Sequence, residues 1–196
     1  MKENKLKDIE KIFREKVQTD SKVNNAYLLI HSNKLNIHMN IAEGKTGDLI
    51  ANPEQPNYMA SVGKLFTSTI ISILFERGKL NFDDKISKYL DHELLDGLHI
   101  FKGKDYTNQI KIKHLLKQTS GLFDEFWPLL EKVLEDKEFD INPRKAIMWG
   151  KKNLKSNFPP GEKTKYTDTN YHLLGLIIEN ITEFSRESLV LVKGRG

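Results

Sequence analysis

Between Val62 and Phe75 lie Val62, Leu65, Phe66, Ile70, Ile71, Ile73, Leu74 and Phe75. At helical spacing these side chains fall on most sides of a helix. A helix that is apolar over most of its circumference must be covered by several partners, so this stretch is expected to be largely buried. That requirement excludes a lone surface helix and calls for a layered fold. Gly78, just after Glu76 and Arg77, reads as its stop. The chain has 196 residues, room for one domain or for one domain and a fragment.

The elements around this helix follow from hydrophobic period. Leu6, Ile9, Ile12 and Phe13 mark one face of an amphipathic helix over residues 3–17. Ala26 to Ile30 reads as a strand. Leu35, Ile37, Met39 and Ile41 alternate with polar residues as a second strand, with Ser32-Asn33 as the turn. Residues 42–57 read as loop. A short helix is expected from Ile112 to Gln118, closing near Gly121. Another starts at Asn142-Pro143 and runs through Trp149, with proline in its first turn. Phe158 to Gly161 is a turn, and Leu173, Leu174, Ile177, Ile178 and Ile181 mark a last helical face. The order is helix, hairpin, helical block. A two-stranded hairpin is marginal alone, so further sheet is expected to complete it.

Composition narrows the partners. Charged residues make up 30% and the net charge is +4, but the lysines are interleaved with Asp and Glu. The densest cluster, Lys151, Lys152 and Lys155, is short. A solvated basic surface is expected rather than a nucleic-acid footprint. There is no cysteine, hence no disulfide and no thiolate nucleophile. The six histidines form no ligand-spaced pair with a carboxylate, so no metal and no cofactor is expected. The N-terminus lacks the apolar stretch of a signal peptide, and no run is long enough to span a bilayer. Taken at face value the chain is cytoplasmic; a removed leader would make it cell-surface or secreted.

The segment YMASVGKLFT (residues 58–67) opens the apolar helix. Ser61 and Lys64 are three residues apart and can share a helix face. A serine hydroxyl becomes a nucleophile when a neighbouring base takes its proton, and a lysine can be that base if its pKa is depressed. The helix N-terminus adds free N–H groups and partial positive charge, which favour an oxyanion beside Ser61. A helix-capping serine followed by a surface lysine accounts for the same two residues equally well.

Three further segments decide between these readings. S-x-x-K is the nucleophile motif of serine beta-lactamases and penicillin-binding proteins. IKIKHLLKQTSGL (residues 110–122) resembles the "LLtHTSGL" segment of the class C beta-lactamase and D-alanyl-D-alanine carboxypeptidase family. GKLNFDDKISKYL (78–90) and FPPGEKTKYTDTNYHLLGLIIENIT (158–182) resemble two more of its segments, in the family's order. The resemblance covers roughly residues 20–182. It implies an α+β fold, a helix–sheet–helix sandwich with an antiparallel sheet and a helical lobe. It also implies Ser61 as acylated nucleophile, Lys64 as proton acceptor and Tyr166, in the Y-x-N position, as proton shuttle. His114 and the Thr119-Ser120-Gly121 turn match the family without being required for chemistry. Trp127 and Trp149 are expected to pack in the core or lobe.

Two departures qualify this. Asp168 stands where the family has Asn. An ionised carboxylate only accepts hydrogen bonds, and its charge raises the pKa of Lys64, so Asp168 is expected to weaken Lys64 as base while contacting substrate. After Tyr166 no K-T-G or H-x-G strand follows, and from Glu183 onward the match fades. The expectation is one incomplete domain: residues 1–57 as helix and hairpin, 58–182 as nucleophile helix and lobe, 183–196 as a divergent tail. A C-terminally truncated member would lose strands of its sheet and an oxyanion donor, with weak activity and self-association through exposed edges. The expected activity is a serine hydrolase acting on beta-lactams, D-Ala-D-Ala-type peptides or esters. The competing readings are a non-catalytic binding module of the same fold and, further off, a basic nucleic-acid binder.

Overall fold

The hairpin is longer than its apolar pattern implies. A computed structural model describes residues 2–136 and 139–182, and the chain divides into two compact units, Met1–Met59 and the residues from Ala60 onward. The divergent tail from Glu183 lies outside the described residues.

In the first unit, helix α1 (Lys2–Thr19) precedes strands β1 (Asn25–Ser32), β2 (Ile37–Thr46) and β3 (Leu49–Ile50). They form one antiparallel sheet in the order β1-β2-β3, with Ile30 opposite Met39 and Leu28 opposite Ile41. The third strand corrects the expectation that residues 42–57 are loop. Lys45 and Thr46 pair with Ile50 and Leu49 across a turn at Gly47 (φ +58°), and Gly44 leaves no room for a side chain, since a Cβ there would lie 2.3 Å from the Asn24 carbonyl oxygen. Leu35 is not in a strand. It sits in the Asn33–Asn36 turn, where the Asn36 amide donates to the Asn33 carbonyl (3.1 Å), and it is exposed.

The face of α1 is also rotated from expectation. Val17 is buried, Leu6 and Phe13 are half-buried, and Ile12 is exposed. Arg14 explains the rotation. Its guanidinium reaches Glu10 (2.8 Å) and Glu43 of β2 (2.5 Å), which turns the 10–14–17 stripe toward the sheet.

The second unit is mainly helical. A 3-10 turn (Ala60–Val62) leads into α2 (Gly63–Glu76), followed by α3 (His92–Leu95), the small hairpin β4 (Ile100–Phe101) and β5 (Lys104–Asp105), and α4 (Ile112–Leu116). Then come α5 (Phe126–Glu135), α6 (Pro143–Asn153) and α7 (Asp168–Thr182). Helix α7 is central: it packs on α2, α4 and α6, and Leu173, Leu174 and Ile177 are fully buried. Each such side chain contributes about 1.5–3 kcal/mol of transfer free energy. The α6 start agrees with expectation: Asn142 Oδ1 accepts from the Lys145 amide (2.9 Å) as N-cap, with Pro143 next.

Two expectations fail here. Helix α2 buries only Thr67, Ile71 and Leu74, while Val62, Leu65, Phe66 and Phe75 are exposed. The face toward α7 is covered, Ile70 packs partly against the core and Phe75 stacks on Phe82, while Leu65 and Phe66 stay exposed. Trp127 is likewise 66% exposed, edge-on to Phe126 rather than in a core. Helix α5, which carries it, escaped the sequence reading because Pro128 interrupts the pattern.

Candidate active site

The first question is whether Ser61 and Lys64 face each other. Ser61 lies in the 3-10 turn, two residues before α2 begins, and Lys64 is the second residue of α2. No hydrogen bond joins them among the described residues. Each is instead paired across the unit with one end of the same short segment. Ser61 Oγ lies 2.8 Å from Tyr166 Oη, and Lys64 Nζ donates to Asp168 Oδ1. The S-x-x-K and Y-x-D segments, about a hundred residues apart in sequence, therefore meet as two parallel contacts.

Local backbone holds this arrangement. Ala60 has φ +45°, a left-handed conformation that costs a residue with a Cβ free energy, directly before Ser61. The first turn of α2 has no side-chain cap, because its N-cap position is Val62. Its amides and partial positive charge are left beside Ser61.

The electrostatics of Lys64 follow from its surroundings. Burial pulls the ammonium pKa down, but the hydrogen bond and charge of Asp168, aided by the Tyr166 phenol, outweigh it, so the net direction is up. The two side chains are 18% and 17% exposed. Lys64 Nζ also lies 5.0 Å from the Tyr166 ring centroid and 5.6 Å from that of Tyr171. A lysine held this way keeps its charge to higher pH than a free one.

Several residues that sequence reasoning passed over position Tyr166 and Asp168. Gln118 brackets Tyr166: its carbonyl accepts from the Lys165 amide (3.0 Å) and its Oε1 accepts from the Thr167 amide (3.1 Å). Gln118 Oε1 also accepts from Asn170 Nδ2, and Asn170 Oδ1 accepts from Ser120 Oγ (2.6 Å). Asp124 Oδ1 accepts from the Asp168 amide (3.1 Å) at the start of α7. Ser68 Oγ meets Tyr171 Oη at 3.0 Å one turn along. All of these contacts, Asp124 to the start of α7 included, join residues more than forty apart, so none left a local signal. His114 takes the structural place expected of it, its Nδ1 accepting from the Lys111 amide at the start of α4 (3.2 Å).

Gly121 ties the TSG turn to the Phe158–Gly161 turn. Its φ is +75°, and a Cβ would lie 1.8 Å from the Phe158 carbonyl oxygen. The Asn157 amide donates to the Gly121 carbonyl (2.7 Å), and the Gly161 amide to that of Thr119 (2.8 Å). A K-T-G tripeptide does occur, Lys45-Thr46-Gly47, but at the β2–β3 turn and ahead of Ser61 in chain order. No group of His, Asp and Glu among the described residues could hold a metal ion, and no described helix is long and apolar enough to cross a membrane.

Comparison with known proteins gives a consistent picture. The beta-lactamase family profile matches residues 10–191. Protein flp of Staphylococcus aureus is 36% identical over 136 residues, covering 69% of this chain and 25% of that protein. Penicillin-binding protein 4* of Bacillus subtilis is 30% identical over 141 residues, covering 69% and 28%. The chain thus spans about a quarter of the length of these relatives. A D-stereospecific amidohydrolase from a Streptomyces species superposes with a TM-score of 0.74 at 22% identity, over 93% of this chain and 52% of that one. The octameric penicillin-binding protein homologue from Pyrococcus abyssi gives 0.73 at 22%, over 99% and 42%. These two likenesses establish the α+β beta-lactamase and transpeptidase-like fold.

Proposed function

Since the chain belongs to the beta-lactamase family, we propose that it is a serine hydrolase working through an acyl-enzyme on Ser61. The observation that carries this reading is the 2.8 Å contact between Ser61 Oγ and Tyr166 Oη beside the Lys64–Asp168 pair. In this reading Ser61 Oγ attacks a carbonyl carbon; its proton moves to Tyr166 Oη as the phenol hands its own proton to the leaving group, whose bond to the carbonyl carbon breaks. Lys64, fixed by Asp168, acts as a cation that lowers the energy of negative charge developing on the two oxygens. The amides after Ser61 supply the partial positive charge for the oxyanion. Asp168, an acceptor, orients an N–H or O–H of the substrate.

The substrate class rests on relatives. Proteins of this fold include a D-stereospecific amidohydrolase and a D-amino acid amidase from Ochrobactrum anthropi, which supports D-configured amides or peptides alongside beta-lactams and esters. A second reading, a module that binds such ligands without turnover, is favoured by the ion pair that keeps Lys64 charged.

The test is incubation with a fluorescent penicillin, a nitrophenyl ester and a D-amino acid nitroanilide, with intact mass as readout and Ser61→Ala as control. An acyl adduct that vanishes with Ser61→Ala supports the hydrolase. Reversible binding without any adduct supports the binding module. An adduct that survives the substitution sinks the assignment of Ser61. Self-association is proposed through the sheet unit, where Leu49 and Ile50 are 75% and 79% exposed. A purely monomeric chain by sedimentation at high concentration would refute it.

A further inference from the structure

A second polar pair joins His172 of α7, one turn beyond Asp168, to Glu125 at the start of α5, and the proposed chemistry at Ser61 does not use it. Glu125 has a side chain with no exposure, and both of its carboxylate oxygens are occupied. Oε1 meets His172 Nδ1 at 2.7 Å, and Oε2 meets Thr169 Oγ1. A fully buried carboxylate is costly unless it is satisfied in this way. It also fixes the His172 ring: an ionised carboxylate oxygen only accepts, so the tautomer with hydrogen on Nδ1 fits this contact. His172 Nε2 then has no hydrogen-bond partner among the described residues, and the ring is 27% exposed.

His172 lines a cleft of about 230 Å³ between α5, α6 and α7. Its walls include Leu129, Leu130 and Val133 of α5 and Ala146 of α6, with Glu125, His172 and Asn142 as its polar lining, the Asn142 oxygen already taken by the Lys145 amide. No lysine or arginine lines it. For scale, an apolar cavity of about 150 Å³ accepts benzene. The space here suits one ring, or a short branched chain, with one polar substituent.

We propose that this cleft is a second binding site, for a small apolar molecule carrying a single hydroxyl or N–H donor, seated with that donor on His172 Nε2. In the Nδ1–H tautomer Nε2 is the acceptor, and the apolar walls take the rest of the molecule. The Glu125 contact pre-orients the ring, so binding does not have to fix it. The site is independent of acylation at Ser61 and stands or falls separately.

Phenol is the probe, and toluene the isostere without the donor. Both are titrated into the full chain at slightly alkaline pH, read by the His172 ring signals and the methyl signals of Leu129, Leu130 and Val133. The expected result is saturable shifts at these groups, with phenol bound about tenfold more tightly than toluene, the size of one hydrogen bond in a sheltered site. His172→Phe keeps the ring body and should bring the ratio to about one. Leu130→Trp should fill the cleft and remove both ligands. Each variant is first checked for an unchanged backbone spectrum. If His172→Phe does not fold, the phenol–toluene ratio in the native chain decides. Equal affinity, shifts confined to other residues, or no shift at millimolar phenol would overturn the proposal.

Discussion

Asp168→Asn separates the stabilising role of the Lys64 ion pair from its effect on chemistry. The amide keeps the shape and one acceptor oxygen but removes the charge that raises the Lys64 pKa. Breaking a fully buried pair costs about 3–5 kcal/mol, and an exposed pair is worth about 0–1 kcal/mol. With the two side chains 18% and 17% exposed, this pair falls between those limits. A loss of about 2 kcal/mol is therefore expected near neutral pH, since one amide hydrogen bond remains. For a chain of this size that is a drop of roughly 4–8 °C in Tm. The pH dependence supplies a second check. Lys64 has a raised pKa in the folded state, so its contribution is complete below the ordinary lysine pKa and is lost as pH rises through the folded value. The stability gap between native and variant chains should be full at pH 7–9 and close at more alkaline pH. Chemistry should move the other way. Once Asp168 is neutral, burial becomes the dominant influence on Lys64 and pushes its pKa down. The alkaline limb of acylation at Ser61 should then shift to lower pH. Thermal melts and single-turnover labelling across a pH series measure both. An unchanged melt together with an unmoved pH profile would refute the electrostatic argument.

Other expectations follow from the same contacts. Gln118→Ala removes the acceptor shared by the Thr167 amide and Asn170 while leaving the Lys165 contact, so Tyr166 loses half its support; acylation should slow by about tenfold or more with substrate affinity little changed, and an unaltered rate would exclude a positioning role. Gly121→Ala places a Cβ against the Phe158 carbonyl at a left-handed φ and should cost more than about 4 kcal/mol, read as failure to express in folded form or as a collapse in urea midpoint. Gly150→Ala meets the Phe123 ring at 2.2 Å instead, a side chain that can shift, and should cost about 1–3 kcal/mol. The pKa values of His99 and His114 are held down, chiefly by burial. The unfolded chain therefore binds protons first, and Tm should fall as pH drops below about 6.5 toward the lowered folded values; a flat Tm between pH 7 and 5.5 would contradict this.

The local rules were legible in sequence where one residue decides one turn. Asn142-Pro143 starts α6, Gly78 follows the end of α2, and the Leu173–Ile177 face of α7 is the buried one. In each case the signal and its structural effect lie within a few residues, so local geometry settles the outcome. Ser61, Lys64, Tyr166 and Asp168 could be nominated from sequence as candidates, because spacing and flanking segments are sequence properties. What sequence could not give was their pairing. Two residues one turn apart suggest a serine–lysine contact, yet Ser61 meets Tyr166 and Lys64 meets Asp168. That choice is made by the packing of α7 on α2, which brings residues 166 and 168 to the start of α2. The same is true of Gln118, whose reach to Thr167 depends on how the TSG turn docks on the approach to α7. The exposed side of α2 and the rotated face of α1 show the limit from the other direction. Period identifies which residues are apolar together, but which of them are covered is set by the neighbours that arrive, here α7 for Ile71 and Leu74 and the Arg14–Glu43 pair for α1. The sequence alone determined the family and nominated the residues of the proposed site; tertiary packing decided which of them touch, because contacts across a hundred residues depend on burial that no local pattern encodes.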